Sequence, residues 1–337
     1  MRAAVIYKPG DIRIVNIDTP KPLPGEIMVK VKACGVCGTD HSLYVGEFPA
    51  NFPVIIGHEF SGEIVEIGED VKTLKVGDRV TADPNNVCHT CNYCRKGKVH
   101  LCDNLASMGV HIDGANSEFA ILPETNAYIF SNYLSYEEAA FTEPLACAIN
   151  GTNLSGVKLG DTVLVLGAGG MGNLILQCAA HSGAANIIVS EPIEFRRKLA
   201  LENGATHVID PNIENVEEEL KKINQNGADV VFECTGNLKL QADAIRYVCK
   251  GGTIVWFGCS PQGKVIEIDT YYVNNREINI TGSFNNPFAT SRAIQMLESK
   301  DVRVDNLISH RIKLGEYLKV FDLFGRENTM KLIVVMD

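Results

Sequence analysis

Residues 162–180, TVLVLGAGGMGNLILQCAA, join an apolar run, a glycine-rich turn and a second apolar run. The first run, Thr162 to Leu166, predicts a buried strand, and the run that follows the glycines predicts a helix. The glycines between them have the spacing G-x-G-x-x-G, which is typical of a turn that holds a dinucleotide pyrophosphate. The stretch therefore predicts one strand-turn-helix unit of a nucleotide-binding α/β domain.

The glycines of this turn have separate predicted roles. Gly167 allows the tight turn, Gly169 lets the backbone approach the pyrophosphate, and Gly172 lets the helix pack closely on the strand. The N-terminus of the helix would offer its unpaired N–H groups to the phosphates. The predicted cofactor-binding residues of the loop are Gly167, Gly169, Gly170, Met171 and Gly172.

An acidic residue follows at the end of the next predicted strand, NIIVSE. This residue, Glu191, lies nineteen residues after Gly172. A carboxylate there would accept hydrogen bonds from the adenosine ribose and would repel a 2′-phosphate, which favours NAD over NADP. Arg196 lies five residues further on. Three roles stay open for it: contact with the adenine, tolerance of a 2′-phosphate, or a solvated charge on a helix.

The rest of the chain predicts a two-domain α/β protein, since 337 residues can form two hydrophobic cores. Short β-like runs separated by Gly and Pro predict a barrel-like β domain in the first part. From Gly160 onward, alternating strand and helix patterns predict a doubly wound parallel sheet, the Rossmann arrangement. The predicted limits are 1–145 and 283–337 for the β domain and 146–282 for the nucleotide-binding domain.

Charge and composition limit the partners and the location. The formal charge of −10 opposes binding to phosphate backbones, so nucleic acid is not an expected partner. No apolar stretch has the roughly 18–20 residues that span a membrane, and the N-terminus lacks the features of a signal peptide. These observations predict a cytoplasmic protein. Its eleven cysteines are then expected to bind metal, catalyse or pack rather than form disulfides.

Four of these cysteines lie in the polar segment CHTCNYCRKGKVHLC. Four thiolates can surround a zinc ion tetrahedrally with no open position, which is typical of a structural site. The Lys and Arg residues between them would offset the negative charge of such a site. We therefore predict a structural zinc lobe at about residues 85–104, with the ligands Cys88, Cys91, Cys94 and Cys102.

A second set of ligand-type residues is dispersed along the chain. Cys37 lies in GVCGTDHS, His58 and Glu59 in GHEFSGEIVEIGEDV, and Glu143 in FTEPLAC. Singly, a cysteine or a histidine of this kind is usually a buried core residue. Together, and beside a nucleotide motif, they predict a catalytic zinc site, in which three protein ligands leave a position for water or substrate.

These motifs occur in the order found in the zinc-dependent medium-chain dehydrogenase/reductase family. The stretch Gly57 to Val71 matches that family's zinc signature, and the chain resembles the sorbitol (polyol) and threonine dehydrogenase branch over essentially its full length. The resemblance implies a GroES-like β-barrel catalytic domain with a Rossmann domain inserted in it. It also implies two zinc ions per chain, an NAD cofactor, and a homo-oligomer, either a tetramer or a dimer.

The resemblance also implies roles for the dispersed residues. Cys37 and His58 would hold the catalytic zinc, Glu59 would complete or support the ligand set, and Glu143 would bind the ion directly or through its water. Which glutamate touches the metal stays open. The alcohol dehydrogenase branch has a cysteine near the position of Glu143, so the glutamate favours the polyol-like branch.

The expected proton path is less regular. Thr39 matches the family's hydroxyl residue that passes the alcohol proton outward, whereas Ser42 occupies the place of the usual relay histidine. Either His41, one residue earlier, reaches the relay from a shifted turn, or the proton leaves through water and ribose hydroxyls. Asn116 is expected near the substrate, where a polar side chain would suit a hydroxyl-rich molecule. Loop placement is an equal alternative for it.

The sequence thus predicts an enzyme that transfers a hydride from a secondary alcohol to NAD. The expected substrate is a polyol, a sugar alcohol or a hydroxy-amino acid, and whether a polyol carries a phosphate stays open. Two alternatives remain: an NADPH-dependent carbonyl reductase of small ketones or aldehydes, and a non-catalytic nucleotide-binding relative.

Overall fold

A computed structural model describes residues 1–336 of the chain; Asp337, the last residue of the predicted β domain, lies outside them. The chain divides into two compact units. Unit 1 comprises Met1–Ala146, Asn286–Lys300 and the segment from Val304 onward, and unit 2 comprises Cys147–Asn285 and Asp301–Arg303. The predicted limits at 145/146 and 282/283 lie one and three residues from the main divisions.

The first part of unit 1 is mostly β-structure with short helices. Its strands are β1 (Arg2–Lys8), β2 (Asp11–Asn16), β3 (Glu26–Gly35), β4 (Val54–Ile55), β5 (Glu59–Ile67), β6 (Arg79–Ala82), β7 (Asn85–Asn86), β8 (Ala106–Ser107), β9 (Phe119–Pro123) and β10 (Ala127–Ile129). Its helices are α1 (Gly38–Val45), α2 (Asn92–Arg95) and α3 (Tyr136–Ala139). Helix α4 (Thr142–Ser155) begins in this unit and continues into the next.

Unit 2 alternates strands and helices, as the sequence pattern predicts. Its strands are β11 (Thr162–Leu166), β12 (Asn186–Ser190), β13 (His207–Ile209), β14 (Ala228–Glu233), β15 (Val248–Trp256) and β16 (Asn279–Gly282). Its further helices are α5 (Gly170–His181), α6 (Glu194–Glu202), α7 (Val216–Ile223), α8 (Leu238–Tyr247) and α9 (Thr270–Asn275). The chain then returns to unit 1 with α10 (Thr290–Glu298), β17 (Ile308–Lys313), α11 (Lys319–Leu323) and β18 (Lys331–Val335).

The sheet of unit 2 has six parallel strands in the order β13-β12-β11-β14-β15-β16. This is the order 3-2-1-4-5-6 of a doubly wound dinucleotide-binding domain, so the predicted Rossmann arrangement is confirmed. All five residues of β11 are buried, which explains the continuous apolar run that the sequence shows there. The strand order reverses between β11 and β14, and the glycine-rich turn follows β11 at that point.

The large sheet of unit 1 has the strand order β10-β6-β5-β3-β18-β17, with β9 also paired to β3. Strands β3 and β5 are antiparallel, and their register pairs Gly35 with Glu59. Because β3 ends where β5 begins, the residues just after β3 and just before β5 lie at one end of the sheet. This register brings Cys37 toward His58 and Glu59 although twenty residues separate them along the chain.

Apolar side chains of these strands form the core of unit 1, which includes Ile27, Val29, Phe60, Ile64 and the fully buried Tyr317. Strands β1, β2 and β4 form a separate three-stranded sheet, and β7 pairs with β8 alone. Within residues 1–336, no helix combines the length and the apolar character that crossing a bilayer requires.

Candidate active site and metal centres

The glycine-rich turn has the geometry that its spacing predicts. Gly167 has a φ of +92°, a left-handed conformation that favours glycine. A Cβ on Gly172 would lie 1.9 Å from the carbonyl oxygen of Gly167, so only glycine lets α5 start this close to β11. A Cβ on Gly169 would meet no atom within 4 Å, and Gly170 and Met171 begin the helix beside it. The turn thus leaves open backbone at a helix N-terminus, which fits a pyrophosphate.

Glu191 is almost fully buried beside this turn. One carboxylate oxygen accepts a hydrogen bond from the backbone N–H of Ala168 at 2.8 Å, and the other accepts one from Ile193 at 3.0 Å. The side chain therefore joins the end of β12 to the glycine turn. A carboxylate has more acceptor sites than these two bonds use, so a ribose hydroxyl can still donate to it.

Two arginines follow Glu191. Arg196, the predicted one, is half-buried on α6. Its neighbour Arg197 donates to the backbone oxygen of Glu191 at 2.7 Å and forms an ion pair with Asp210 at 2.8 Å. Arg197 thus also holds the end of β12, a role that the sequence did not reveal because it depends on Asp210 after β13.

The four cysteines of the lobe come together. The sulfur atoms of Cys88, Cys91, Cys94 and Cys102 all lie within 4.8 Å of one another. Backbone N–H groups donate to three of these sulfurs at 3.3–3.4 Å, for example from Cys91 to Cys88 and from Cys94 to Cys91. Helix α2 begins inside the lobe with Cys91 as its N-cap, so the backbone itself is folded around the sulfurs.

The closeness of the four thiols indicates that the cluster suits a cation and shifts their ionisation. Hydrogen bonds from Thr90 and Cys91 lower the pKa of Cys88 to about 5. Loss of solvent and the nearby sulfurs of Cys91 and Cys102 raise the pKa of Cys94 to about 12. Four thiolates at this separation repel one another, and a divalent ion among them removes that repulsion. Four sulfur donors are a ligand set typical of structural zinc.

The dispersed residues form a second group. One ligand atom each of Cys37, His58 and Glu59 lies within 4.8 Å of the other two. Cys37 is the N-cap of α1 directly after β3, and Glu59 is the first residue of β5. The sheet register therefore brings this group together, whereas the lobe gathers its cysteines from a single segment.

A buried ion pair adjoins this second group. Lys331, on β18, contacts the carboxylate of Glu59, and the two side chains are only 9% and 1% exposed. A Cβ on Gly35 would strike that carboxylate, so the glycine leaves room for it. Lys331 was not predicted as a site residue. The signal was available, because it is the single cation in the apolar run MKLIVVM.

Asp40 is a further residue absent from the predicted site. It is fully buried and accepts a hydrogen bond from the backbone N–H of Cys37 at 2.8 Å. Burial raises the pKa of Asp40, while the neighbouring His58 opposes that rise. An acidic residue three positions after a helix N-cap is a recognisable sequence signal, since it can bond back to the cap.

Negative groups dominate the surroundings of His58. Burial alone would lower its pKa, but Cys37, Asp40 and Glu143 raise it well above its ordinary value. Burial would likewise lower the pKa of Lys331, yet Glu59, Cys37 and Glu143 raise it. The site therefore attracts positive charge.

The donor set also fits a metal. Within residues 1–336, the buried Nδ1 of His58 has no hydrogen-bond partner. A thiolate, an imidazole and a carboxylate are ligands that zinc binds readily. The residues present thus fit a catalytic zinc ion.

Glu143 lies near this group without belonging to it. It stands in the first turn of α4, is 7% exposed, and lies close enough for its charge to act on His58 and Lys331. Its Oε1 accepts a hydrogen bond from the amide of Asn286 at 3.4 Å. The structure thus groups Glu59 more tightly than Glu143 with Cys37 and His58.

The candidate proton-transfer residues lie on α1. The hydroxyl oxygen of Thr39 is 3.6 Å from the sulfur of Cys37. The ring of His41 stacks on Phe324, with 4.8 Å between the ring centres, and Ser42 is half-buried on the next position. Thr39 therefore lies at the metal group, whereas one face of His41 is covered by an aromatic ring.

The expectation that Asn116 faces the substrate is not met by its placement. Asn116 is fully buried, and its amide lies 3.5 Å from the hydroxyl of Tyr317 and against Gly57. It therefore belongs to the interior of unit 1. Of the two placements that the sequence left open, the structure therefore agrees with the loop position, since Asn116 lies in a bend before β9.

Comparison with known proteins places the two units in one family. The family model for the alcohol dehydrogenase GroES-like domain matches residues 23–131, and the model for zinc-binding dehydrogenases matches residues 170–299. The predicted GroES-like β domain beside a Rossmann domain is therefore confirmed.

Individual relatives match the chain along almost its whole length. D-arabinitol dehydrogenase 1 of Uromyces fabae is 34% identical over 99% of this chain and 97% of that protein. L-threonine 3-dehydrogenase of Pyrococcus horikoshii is 35% identical over 100% of this chain and 99% of that protein. A crystal structure from Sinorhizobium meliloti 1021, assigned as a zinc-binding dehydrogenase and bound to NADP, is 39% identical, with a TM-score of 0.97 and coverage of 99% and 98%. The chain therefore belongs to the zinc-dependent medium-chain dehydrogenase/reductase family, in the branch of the polyol and threonine dehydrogenases.

Proposed function

We propose that this protein oxidises a secondary alcohol of a polyol, with zinc as the catalytic ion and NAD as the hydride acceptor. The observation that carries the proposal is the grouping of Cys37, His58 and Glu59 within 4.8 Å, in a chain that also has an intact dinucleotide turn. A non-catalytic nucleotide-binding protein would need the dinucleotide turn but not the group of metal ligands. The relatives named for arabinitol and threonine support a hydroxyl-bearing substrate.

The chain's own residues have distinct proposed tasks. Cys37 and His58 would hold the zinc ion, with Glu59 or Glu143 as the carboxylate partner. Thr39 would accept the proton of the alcohol while it passes its own hydroxyl proton outward, either to His41 or to water and the ribose hydroxyls. When bound, zinc polarises the alcohol oxygen and lowers its pKa, which prepares the carbon to release hydride. Asp40 fixes the backbone of Cys37, and the four-cysteine lobe binds a second, structural zinc ion.

The cofactor preference is proposed from Glu191. Its carboxylate is buried against the glycine turn, where the resemblance expects the adenosine ribose. A 2′-phosphate would meet this negative charge, whereas two ribose hydroxyls can donate to it. Arg197, which donates to the backbone of Glu191, is already paired with Asp210. We therefore expect kcat/KM for NAD to exceed that for NADP by more than about tenfold, since one unfavourable charge contact is worth roughly 1–2 kcal/mol.

One observation favours a second candidate. The structurally similar protein from Sinorhizobium meliloti 1021 binds NADP, which agrees with an NADPH-dependent reductase of small carbonyl compounds. Measuring the rate with NADH and with NADPH on small ketones, beside NAD and NADP on polyols, separates the two candidates. Higher kcat/KM with the phosphorylated cofactors would overturn the NAD proposal.

The substrate class is tested by a screen of polyols, polyol phosphates, threonine and simple secondary alcohols with NAD. The absorbance of the reduced cofactor measures turnover. The proposal predicts turnover with at least one polyol and none after Cys37→Ser. Turnover that is unaffected by Cys37→Ser would contradict it. Assembly as a dimer or tetramer and a cytoplasmic location stay predictions, which a sedimentation measurement and cell fractionation check.

A further inference from the structure

Two hydrogen bonds link Glu143 through Asn286 to strand β7; the first is buried and the second is partly buried. Asn286 is 1% exposed; its amide nitrogen donates to Oε1 of Glu143 at 3.4 Å, and its amide oxygen accepts from the amide nitrogen of Asn85 at 3.1 Å. All three residues belong to unit 1. Asn286 therefore uses both ends of its amide to join a glutamate near the catalytic group to Asn85.

The donor and acceptor of each of these hydrogen bonds follow from the chemistry of the side chains. An ionised carboxylate can only accept hydrogen bonds, so the end of Asn286 that faces Glu143 is its NH₂ group. The oxygen of Asn286 must then face Asn85, which donates to it. The same NH₂ group of Asn85 lies 2.9 Å from Oδ1 of Asp83, so Asn85 points its donor toward two acceptors. The donor to Glu143 is therefore the amide nitrogen of Asn286, and the donor to Asn286 is the amide nitrogen of Asn85.

Asn85 is in turn held by the base of the cysteine lobe. Strand β7 pairs antiparallel with β8, Asn85 opposite Ser107, and the hydroxyl of Ser107 donates to the amide oxygen of Asn85 at 2.7 Å. These two short strands enclose the lobe, because β7 ends two residues before Cys88 and β8 begins four residues after Cys102. The cysteine lobe therefore connects the strand that contains Asn85 to the strand that contains Ser107, its hydrogen-bond partner.

A second asparagine fixes the same backbone from the other side. The amide nitrogen of Asn126 lies 3.1 Å from the carbonyl oxygens of Asp83 and Asn85. A cavity of ≈ 190 Å³ adjoins Asn85, Asn126 and Asn286. A water molecule could therefore replace a lost side-chain contact when one of these asparagines is substituted, which reduces the risk that the variant fails to fold.

We propose that Asn286 is a positioning residue for Glu143, and that the four-cysteine lobe holds Asn286 in place through Asn85. The orientation of the carboxylate beside the catalytic zinc then depends on whether the lobe contains its own metal. The inference rests on the proposed function, since it requires a zinc ion near Glu143. The lobe thereby acquires a role in the active site besides stabilising its own loop.

The decisive variant is Asn286→Asp, which keeps the size and the acceptor toward Asn85 but replaces the donor to Glu143 by a second carboxylate. Exposed Asn132, whose amide oxygen accepts from Arg79 at 3.0 Å, provides the matched control as Asn132→Asp. Both variants and the wild type are purified with zinc. We then measure the rate of zinc release to a coloured chelator, together with kcat, KM and the thermal midpoint. Cys37→Ser, which should contain zinc only in the lobe, shows which phase of the release comes from the lobe.

We expect Asn286→Asp to release the catalytic zinc about 10- to 100-fold faster and to lower kcat by a similar factor, because residues that orient a carboxylate at a metal site commonly have effects of this size. The KM for NAD and the behaviour of Asn132→Asp should stay at the wild-type level. Release and kcat within about twofold of the wild type, with the catalytic zinc present, would overturn the positioning role.

The link to the lobe is tested with Cys94→Ser, alone and combined with Asn286→Ala. If the lobe acts through Asn286, Cys94→Ser accelerates release of the catalytic zinc in the wild-type background and adds little in the Asn286→Ala background. Equal acceleration in both backgrounds, or none in either, would overturn the link. A wild-type protein that holds zinc only in the lobe would instead contradict the proposed function, and the inference with it.

Discussion

The two metal-binding regions of unit 1 are built in opposite ways. The lobe takes Cys88, Cys91, Cys94 and Cys102 from fifteen consecutive residues, on a polar segment whose own amides donate to the sulfurs. The catalytic group takes its residues from the end of β3 and the start of β5, and it is surrounded by buried charges. A site whose ligands lie in one segment depends little on the packing of the rest of the fold. A site whose ligands lie on different strands depends on the correct pairing of those strands.

This difference predicts that a single ligand substitution has its largest effect on chemistry in the catalytic group. Cys37→Ser should lower kcat/KM by at least ~10³-fold, since it removes several kcal/mol of electrostatic stabilisation that the metal supplies. The affinity for NAD, measured by fluorescence titration, should remain near the wild-type value because the nucleotide turn lies in unit 2. Exposed Cys259→Ser is the matched control. Loss of NAD affinity in Cys37→Ser would indicate a folding defect, whereas a kcat/KM equal to that of the wild type would contradict the assignment.

The second prediction concerns the buried charges that only the catalytic group has. In the zinc-free protein, Lys331→Met leaves the carboxylate of Glu59 buried without its cation, which should lower the free energy of unfolding by about 3–5 kcal/mol. Urea denaturation measures this loss. The double variant Lys331→Met with Glu59→Gln removes both charges and should regain most of the stability. If the single and double variants are equally destabilised, the ion pair is not the cause.

A ligand substitution in the lobe should affect stability more than chemistry, and its effect on stability should be moderate. Cys94→Ser is expected to lose the lobe zinc and on the order of 2 kcal/mol of stability, because the metal organises mainly its own segment and the strands β7 and β8. Its effect on the catalytic group passes only through Asn85 and Asn286. Differential scanning calorimetry measures the lowered midpoint, and proteolysis should cleave first within residues 88–102. An unchanged midpoint after loss of the zinc would show that the lobe folds without metal.

A surface ion pair outside both regions gives the smallest expected effect. Lys300 contacts Glu138 at 2.7 Å, and this contact together with Ser135 holds the pKa of Glu138 below its ordinary value of 4.5 although burial opposes it. The pair therefore stabilises the fold above pH 4.5, and its contribution disappears as the pH falls through the lowered pKa. Lys300→Ala should cost less than about 1 kcal/mol at pH 7, because the lysine is more than half exposed and screened.

Urea denaturation of Lys300→Ala and the wild type at pH 7 and at pH 3 checks this sign. The difference in stability should shrink at the lower pH. A difference that grows on acidification would contradict the direction of the shift at Glu138.

The contrast also explains which features the sequence could predict. The lobe and the nucleotide turn were predictable because each lies in one short segment, and the spacing of Cys88 to Cys102 or of Gly167 to Gly172 carries its geometry. The alternating pattern of unit 2 likewise predicted the parallel sheet. These are local signals, and they do not depend on how strands pair.

The partners that adjust the catalytic group were not predictable in the same way. Lys331 reaches Glu59 because β18 lies beside β3, and Asn286 reaches Glu143 after the chain returns from unit 2. Asn116, expected near the substrate, is buried against Tyr317 instead. Each case depends on contacts between residues far apart in sequence, for which a single sequence gives no distance.

We propose that Cys37, His58 and a carboxylate share one zinc ion, separate from the ion of the lobe. Elemental analysis of zinc per chain in the wild type, in Cys37→Ser and in Cys94→Ser tests this separation. We expect two zinc ions per chain in the wild type and one in Cys37→Ser, with the remaining ion resistant to removal. A wild type with a single zinc ion, or a Cys37→Ser protein that still binds two, would contradict it.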